Sequence, residues 1–438
     1  MICSSTFKIP FALASLVSVL LLPGILSASE EGELPLKELR TFADVFNKIR
    51  EGYVEEVDDS TLLEYAIKGM LTGLDPHSVY MTSDAFERLQ SVTTGEFSGL
   101  GLEVGMEDGF VTVISPIDGT PAAKAGLQTG DVILKLDGVS IKGLGLSEAI
   151  EKMRGEKGSK IELLVGRPGD SQPFDVTLIR DTVRVASVRE RWLEPGYGYI
   201  RIAQFQKRTG EDVEKSLGKL LEKEKLKGLV LDLRNNPGGI LNASVDVAGL
   251  FMDGGTVVYT EGRLDNSDIH YTATKGDATN GTALVVLINS GSASASEIVA
   301  GALQDHGRAV LMGTQSFGKG SVQTVLPISD SRAVKLTTAL YFTPDGRSIQ
   351  AQGIAPDILV ERAKVTAYDA SHRVKEADLT GHLDNAGGDA VAATPEPDKE
   401  ESISLLSTDN QLYEALTLLK GLNILAAYRM KETAEGGD

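Results

Sequence analysis

The segment "NSGSASASEIVAG" (289–301) places four serines between positions 290 and 296, directly before a predicted helix. The first N–H groups of a helix have no partner within that helix, so they can stabilise an oxyanion. A serine at this junction could act as a nucleophile, and helix capping or small-residue packing are the alternative roles. The residue types alone do not distinguish Ser294 from Ser292 or Ser296 as the nucleophile.

A lysine between two glycines, Lys319 in "GTQSFGKGS" (313–321), is the candidate base for such a serine. Glycines let other segments approach closely, and a buried amine has a lowered pKa and can act as a general base. An exposed loop lysine is the alternative. A phosphate-binding loop would need Ser or Thr where Gly320 stands, and it would open a helix, whereas "SVQTVLPI" predicts a strand. We therefore exclude a nucleotide site here.

The overall composition is that of a globular protein with an acidic surface. The 438 residues include 43 Lys and Arg against 62 Asp and Glu, a formal net charge of −19, and 42% of the residues are hydrophobic. An acidic balance of this size argues against nucleic acid as a partner. The length predicts two or three domains.

The N-terminal segment differs from the rest of the chain. An apolar run, "FALASLVSVLLLPGIL", follows Lys8 and ends before the small residues "SAS", which predicts a secretory signal peptide over 1–28 with cleavage near Ala28. A membrane anchor is the alternative. The single cysteine, Cys3, lies before the apolar run, so the mature chain would have no disulfide and no thiol nucleophile. We expect an envelope compartment such as the periplasm.

The residue pattern of the remaining chain changes at several points. Helical periodicity predicts a helical region over 29–92, and glycine-separated β-type runs predict a β-rich domain over 93–182. Strand-like and helical segments alternate over 183–364, which predicts an α/β block. Residues 365–402 lack any period and predict a flexible linker, and 403–438 predict a helical tail. The fold class expected is therefore α+β with several domains.

Two stretches together resemble a known family. "GSASASEIVAGALQDHGRAVLMGTQSFGKGSVQ" and "LVLDLRNNPGG" are similar to the carboxyl-terminal processing (tail-specific) peptidases, and the resemblance extends over about 35–362. Members are serine proteases with a Ser-Lys dyad and an embedded PDZ domain. The resemblance implies a helical N-terminal arm, a β-barrel-like PDZ domain with short helices, an α/β core of the tail-specific protease and crotonase-like type, and a C-terminal helix.

The resemblance also assigns roles to particular residues. It implies that Ser294 is the nucleophile, that Lys319 is its base and that Gln323 positions this lysine. The oxyanion donors that it implies are the main-chain N–H groups of Gly238 and Ala295. Some members have a further aspartate that matches Asp305, which we expect to be structural. The resemblance implies no cofactor and no metal.

The PDZ domain is expected to recognise the C-terminus of a protein. "SGLGLEV" resembles the carboxylate-binding loop of the family, in which the N–H groups of Leu100, Gly101 and Leu102 would hold a terminal carboxylate. "TPAAKAGLQTGDVILKLDG" (120–138) matches a second family signature. The resemblance points to protein substrates with unstructured C-termini, with cell-wall hydrolases among them, and to a helical-repeat lipoprotein as an adaptor.

We therefore expect a secreted serine endopeptidase that works through an acyl-enzyme and whose PDZ domain gates the site. A non-catalytic PDZ scaffold that gathers envelope proteins is the alternative. We also expect a homo-oligomer held by its ends, because the N-terminal helices carry apolar stripes and the C-terminal helix follows a linker too flexible to dock it locally. Packing of these helices on their own core is the alternative.

Overall fold

The computed structural model describes residues 35–117, 119–264, 267–329, 331–365, 376, 379–383 and 405–435. The predicted signal peptide (1–28) lies outside the described residues, and so does most of the predicted linker. The chain divides between Ile67 and Lys68 into two compact units. The predicted α+β organisation is confirmed, with helices and, among the described residues, four β-sheets.

The N-terminal part is mainly helical. Its elements are α1 (Leu36–Gly52), α2 (Asp59–Thr72), β1 (Val79–Met81) and α3 (Ser83–Thr94). The Asp58 carboxylate accepts hydrogen bonds from Thr61 N–H (3.0 Å) and from the Ser60 hydroxyl (2.5 Å), which begins α2 with a capping side chain. No residue of α1 is buried, and Leu36 is 73% exposed.

The next region is β-rich, as the glycine-separated runs predict. Its elements are β2 (Glu96–Gly99), β3 (Leu102–Glu107), β4 (Phe110–Pro116), α4 (Pro121–Lys124), β5 (Val132–Leu136), β6 (Val139–Ser140), α5 (Leu146–Met153), β7 (Lys160–Gly166), β8 (Phe174–Ile179) and β9 (Asp181–Arg184). Strands β3, β4, β5, β7 and β8 form one sheet in that order, with β6 paired to β5. Apolar side chains such as Ile133, Ile161 and Leu163 are fully buried in its core.

A two-stranded ribbon connects this β-rich region to the rest of the chain. The entering strand β2 pairs antiparallel with the leaving strand β9, from Glu96 opposite Arg184 to Gly99 opposite Asp181. The ribbon contains no strand of the larger sheets. Both borders of the β-rich region therefore meet in one narrow connection.

A mainly parallel sheet of six strands follows the ribbon. The elements of this region are β10 (Val188–Glu194), β11 (Tyr197–Ile202), α6 (Thr209–Lys223), β12 (Gly228–Asp232), α7 (Leu241–Gly249), β13 (Thr256–Gly262), β14 (Ile269–Thr272), β15 (Ala283–Ile288), α8 (Ala295–Asp305) and β16 (Val310–Gly313). The remaining elements are β17 (Ser321–Ser329), β18 (Arg332–Phe342), β19 (Ile358–Leu359) and α9 (Asn410–Glu435). The sheet order is β10, β11, β12, β15, β16 and β19.

The order of this sheet brings two loops together. Strands β11, β12, β15, β16 and β19 are parallel, and "GLVL" and "ALVVLI" are continuous apolar runs, as expected for the strands β12 and β15, which are covered on both faces. The carboxyl ends of adjacent parallel strands lie at one edge of a sheet. The loop 233–240 after β12 and the loop 289–294 after β15 are therefore neighbours.

A second, antiparallel sheet supplies the other side of the site. Its order is β1, β18, β13 and β14, with β17 paired to β18. In this sheet Val79 of β1 lies opposite Lys335 of β18, and Val325 of β17 also lies opposite Lys335. The segment before β17 contains Lys319, so the turn into this hairpin determines where that lysine lies.

The C-terminal helix corrects one expectation. The sequence predicts that the tail packs on another chain, but Leu412, Leu416 and Leu419 of α9 are buried against one face of the mainly parallel sheet. The apolar side chains in the first part of α9 are therefore buried within the same chain, whereas Ile424 and Leu425 further along the helix are exposed. Among the described helices, none is long and apolar enough to cross a bilayer.

Candidate active site

Ser294 lies at the junction between the loop after β15 and helix α8. Its backbone has φ 56° and ψ −115°, a conformation that residues other than glycine rarely adopt. Strain of this kind persists only where surrounding contacts maintain it, and it occurs often at functional sites. Ala295 follows as the first residue of α8.

Those contacts converge on Glu297, one turn into α8. Its side chain is fully buried. One carboxylate oxygen accepts the N–H groups of Ser294 (2.7 Å) and Lys319 (2.9 Å). The other accepts the Ser316 hydroxyl (2.6 Å) and the Gly318 N–H (2.6 Å). A single buried carboxylate therefore holds together the backbone of the candidate nucleophile and that of the candidate base.

The glycines on either side of Lys319 allow its loop to pack tightly. A Cβ on Gly320 would lie 2.5 Å from the Gln350 nitrogen, and one on Gly318 would lie 3.0 Å from the Gly353 nitrogen. Gly318 also has φ +94°, which side chains disfavour. No larger residue fits at these positions without displacing the neighbouring backbone.

The electrostatic environment of Lys319 favours its neutral form. Burial lowers the pKa of Lys319, and the nearby Lys335 ammonium lowers it further, while the Glu297 and Asp75 carboxylates act in the opposite direction. His77 lies close enough to Lys319 for the lysine charge to affect its pKa. Burial and then the positive charge of Lys319 lower the pKa of His77 as well.

Ser294, Lys319, Gln323 and Lys335 line one cavity of about 460 Å³. The rest of its wall is largely apolar. The apolar side chains that line it are Leu89, Val92, Phe205, Ile240, Leu241, Ile298, Val322 and Val325. This arrangement could hold an apolar side chain of an extended peptide beside the serine.

Gln323 and Tyr341 complete the polar wall. The Gln323 amide donates to the Ser321 hydroxyl (2.9 Å) and to the Ser321 carbonyl (3.1 Å). The Tyr341 phenol donates to the Lys319 carbonyl, and the Ser294 hydroxyl lies within its hydrogen-bonding reach. Burial raises the pKa of Tyr341 well above its usual value, so this phenol stays protonated.

The main-chain N–H groups of the two candidate oxyanion donors, Ala295 and Gly238, differ in their hydrogen bonds. As the first residue of α8, Ala295 has an N–H without an intrahelical acceptor. The Gly238 N–H donates to the Asn236 side-chain oxygen (2.9 Å). A Cβ on Gly238 would lie 2.8 Å from Cβ of Ser294 and 3.0 Å from the Ala295 nitrogen, so the three residues are adjacent.

Asp305 and His306, at the C-terminal end of α8, lie away from Ser294 and Lys319. The Asp305 carboxylate accepts from the Arg347 guanidinium and from the Asp345 N–H (2.9 Å). His306 Nε2 lies 2.7 Å from the Thr256 carbonyl. An 11-residue helix spans about 16 Å, which separates these side chains from Ser294. Within the described ranges, no group of three or more His, Cys, Asp or Glu side chains could hold a metal ion.

The predicted carboxylate-binding loop lies between β2 and β3. The Leu100 carbonyl accepts from Ala122 N–H (2.9 Å) and the Gly101 carbonyl accepts from Ile117 N–H (2.9 Å). Gly101 has φ +80°, and a Cβ there would lie 2.2 Å from Cβ of Thr120. Leu102 begins β3 opposite Pro116. The carbonyls of the loop are thus held from within the domain.

Sequence reasoning missed three residues of the cavity region. The spacing of Ser294 and Glu297 is that of a capping box, which could have indicated Glu297. His77 and Lys335 carry no local signal, because they come from distant segments joined by the pairing of β1 with β18. Only the tertiary structure brings them to Lys319.

Three family models match the chain. The peptidase family S41 model matches residues 196–360, a PDZ domain model matches 98–178, and the model described as the activating protease CtpB N-terminal domain matches 23–85. The first match contains every candidate catalytic residue. The second contains the predicted carboxylate-binding loop.

Individual proteins are similar over most of the chain. A carboxy-terminal-processing protease of Bartonella bacilliformis is 46% identical over 403 residues, which cover 90% of this chain and 90% of the relative. The carboxy-terminal processing protease CtpA of Bacillus subtilis is 36% identical and covers 76% of this chain and 72% of its own. The solved photosystem II D1 C-terminal processing protease is 32% identical, covers 74% and 93% of the two chains, and has a TM-score of 0.43.

Proposed function

The chain belongs to peptidase family S41 and is a carboxy-terminal processing protease of the serine type, and from this premise we propose that it cleaves through a Ser294–Lys319 dyad. The observation that carries the proposal is the shared Glu297 carboxylate, which holds the backbone of both residues beside one cavity. A neutral lysine next to a serine hydroxyl can accept its proton.

The proposed reaction has two stages. Ser294 Oγ attacks the scissile carbonyl and its proton moves to Lys319 Nζ, which then gives it to the leaving amine as the C–N bond breaks. A water then attacks the acyl-enzyme, Lys319 takes a proton from that water, and the proton returns to Ser294 Oγ as the new C-terminus leaves. Burial lowers the pKa of Lys319, which raises the fraction of neutral amine available for both proton transfers.

The oxyanion would be held by main-chain donors. The Ala295 N–H is the first donor, since the helix leaves it without an acceptor. The Gly238 N–H joins it by leaving the Asn236 carboxamide, because a developing negative charge is a stronger acceptor than a neutral amide. Gln323, which donates to the Ser321 hydroxyl two residues after Lys319, is proposed to position the lysine.

We further propose that the PDZ domain selects C-termini and gates cleavage. A PDZ domain binds peptide C-termini through loop amides and strand addition. Lys207 N–H donates to the Thr93 carbonyl beside the ribbon (2.9 Å), and Phe205 and Gly238 are linked by a main-chain hydrogen bond of 2.9 Å. A shift of the PDZ domain would therefore reach the oxyanion loop through a short, packed segment.

The cellular setting follows from the sequence expectations. We propose that the chain is exported by its signal peptide to the periplasm and acts there on envelope proteins with unstructured C-termini. Cell-wall hydrolases are the class to examine first, with a helical-repeat lipoprotein as the adaptor. A substrate trap, Ser294→Ala expressed in the host and analysed by mass spectrometry, tests this setting.

We also propose a homo-oligomer, for which fewer surfaces are available than the sequence predicts. The docked first part of α9 removes one expected contact, which leaves α1 and the exposed end of α9 as the candidate surfaces. Light scattering of the full chain against a version that begins at 68 tests the role of the N-terminal helices. A monomer in both contradicts the proposal.

The dyad is tested on purified protein with dye-labelled casein. Ser294→Ala and Lys319→Ala should each lose nearly all turnover, while Lys215→Ala on the surface of α6 should retain it. The same Ser294→Ala variant should lose labelling by a fluorophosphonate. Full activity of Lys319→Ala, or a His306→Ala variant as inactive as Lys319→Ala, would contradict the dyad.

A further inference from the structure

A buried charged network lies under the loop that follows β12. The Arg234 side chain is almost fully buried, and its guanidinium donates to both oxygens of Asp232 (2.9 and 2.7 Å). It also donates to both oxygens of Asp409 (2.8 and 2.7 Å) and to the Gln411 side-chain oxygen (2.9 Å). The mechanism proposed above uses none of these side chains.

Asp409 reaches this loop from the far end of the chain. It immediately precedes α9, and one of its oxygens accepts the Leu412 N–H (3.1 Å), so it also caps that helix. The Gln411 side chain donates to the Val360 carbonyl (2.6 Å), and Asn410 donates to the Glu361 carbonyl (2.8 Å). The position of Asp409 is therefore set by the segment that directly follows β19 of the mainly parallel sheet, and not by a free tail.

The other face of the same loop touches the nucleophile segment. Asn235 has φ +55°, and the Asn289 side chain bonds to it twice, at 2.9 Å each. The Asn236 carbonyl accepts from the Ala293 N–H (3.0 Å) and from the Ser296 hydroxyl (3.0 Å). A shift of Arg234 would be transmitted through these contacts to both oxyanion donors.

We propose that Asp409 is a positioning residue for hydrolysis, because its carboxylate holds Arg234 and through it the loop that presents Gly238. This inference rests on the proposed dyad mechanism. The guanidinium fork engages one carboxylate on each side, so its plane is determined by both partners. If Asp232 were the only carboxylate partner, the charge of the Arg234 guanidinium would still be neutralised. The guanidinium would, however, lose one of the two carboxylates that fix its orientation.

The pKa shifts agree with a tightly coupled pair. Burial raises the pKa of Asp409, but the hydrogen bond and charge of Arg234 outweigh burial and lower it overall. Burial acts to lower the pKa of Arg234, and the two aspartates outweigh burial and raise it. Both groups therefore stay charged across the pH range of an activity assay.

The test variant is Asp409→Asn, which keeps the helix cap but places an NH₂ group against the guanidinium. We expect kcat for casein to fall about tenfold with KM changed less than about twofold, since a displaced oxyanion loop weakens transition-state binding only. The rate of fluorophosphonate labelling at saturation should fall in parallel. Gln411→Leu, which removes one bond to Arg234 and no charge, should show a smaller loss of the same kind.

The matched control is Lys420→Met. Lys420 also lies on α9 and pairs with Glu194 (2.6 Å), so the variant weakens helix docking without touching Arg234. Its kcat should stay within about twofold of the parent. Thermal unfolding identifies the variants that are folded at the assay temperature, and Gln411→Leu carries the comparison if Asp409→Asn is not folded.

The outcomes separate the two proposals. If Ser294→Ala or Lys319→Ala stays active, the dyad fails whatever Asp409 does. If both are inactive while Asp409→Asn and Gln411→Leu match Lys420→Met in kcat, the dyad stands and the positioning role is overturned. A rise in KM without a loss of kcat also overturns it, because that would indicate substrate binding.

Discussion

The peptidase site and the PDZ domain are held in place by different kinds of contact. At the site, buried charged side chains such as Glu297 and Arg234 bind several segments at once. The PDZ domain joins the core through the β2–β9 ribbon and through a half-exposed ion pair between Arg184 and Asp212 (2.6 Å). Buried, multiply bonded charges resist displacement, whereas exposed pairs contribute little to stability.

This difference suggests a division of roles. The site is preorganised, as electrostatic stabilisation of a transition state requires. The proposed gate requires that the PDZ domain can change position at low cost on its narrow connection, and a peptide could shift that position only if it prefers one state. Substitutions in the site should therefore impair chemistry, and those in the PDZ domain should affect access.

Glu297→Gln is the strongest test of the preorganised site. The amide would place a donor against two groups that already donate, so the Ser294 and Lys319 backbones should move apart, with a loss of about a hundredfold or more in kcat. Loss of a charge that raises the pKa of Lys319 should also move the acid limb of the pH profile to lower pH. Glu214→Gln, exposed on α6, is the control, and equal activity of the two variants would contradict the role of Glu297.

Gly101→Glu tests the opposite side of the comparison. The φ of +80° and the clash with Thr120 should distort the carboxylate-binding loop. Cleavage of proteins with free C-termini should fall about tenfold, in line with the loss of a carboxylate anchor, while fluorophosphonate labelling of Ser294 should be unchanged. Gly109→Glu, at an open turn of the same domain with a similar φ of +78°, controls for strain alone. A parallel loss of labelling would show that the loop supports the chemistry directly.

Lys335→Met should change the pH dependence of the rate more than its maximum. The Lys335 ammonium holds the pKa of Lys319 down, so its removal raises that pKa. If Lys319 is the proposed base, it must be neutral to act, so the rate grows as pH rises through its pKa, and the acid limb of kcat/KM should move to higher pH. The alkaline plateau should remain, and Lys335→Arg should restore the original profile. An unmoved limb with a lowered plateau would indicate a structural role instead.

Arg184→Met should have the smallest effect. It removes the ion pair with Asp212, and such half-exposed pairs are worth about 0–1 kcal/mol. The ratio of peptide-stimulated to unstimulated activity should fall about twofold, and labelling of Ser294 should not change. Arg208→Met, which breaks the exposed Arg208–Glu211 pair on the surface of the peptidase region, is the matched control. An identical ratio in both variants would mean that the pair does not hold the PDZ domain in position.

Local patterns explain what could be predicted. Continuous apolar runs predict the buried strands β12 and β15, and the glycine-separated runs predict the β-rich region. The periodic leucines of the C-terminal segment correctly predict α9, but its location was wrong in the prediction, because the sequence does not show that the face of the sheet beside it is unoccupied. A helix pattern specifies which face is buried and not what covers it.

The sequence by itself determined the serine at a helix entrance, the lysine between two glycines and, through the family resemblance, their proposed roles. Only the tertiary structure decided what surrounds them: Lys335 and His77 near the lysine, the Gly238 amide already bonded to Asn236, and Asp409 under the oxyanion loop. The physical reason is the range of the interactions. Caps, turns and periodicity act over a few residues, whereas the pKa of a buried amine depends on every charge within several ångströms, wherever in the chain it originates.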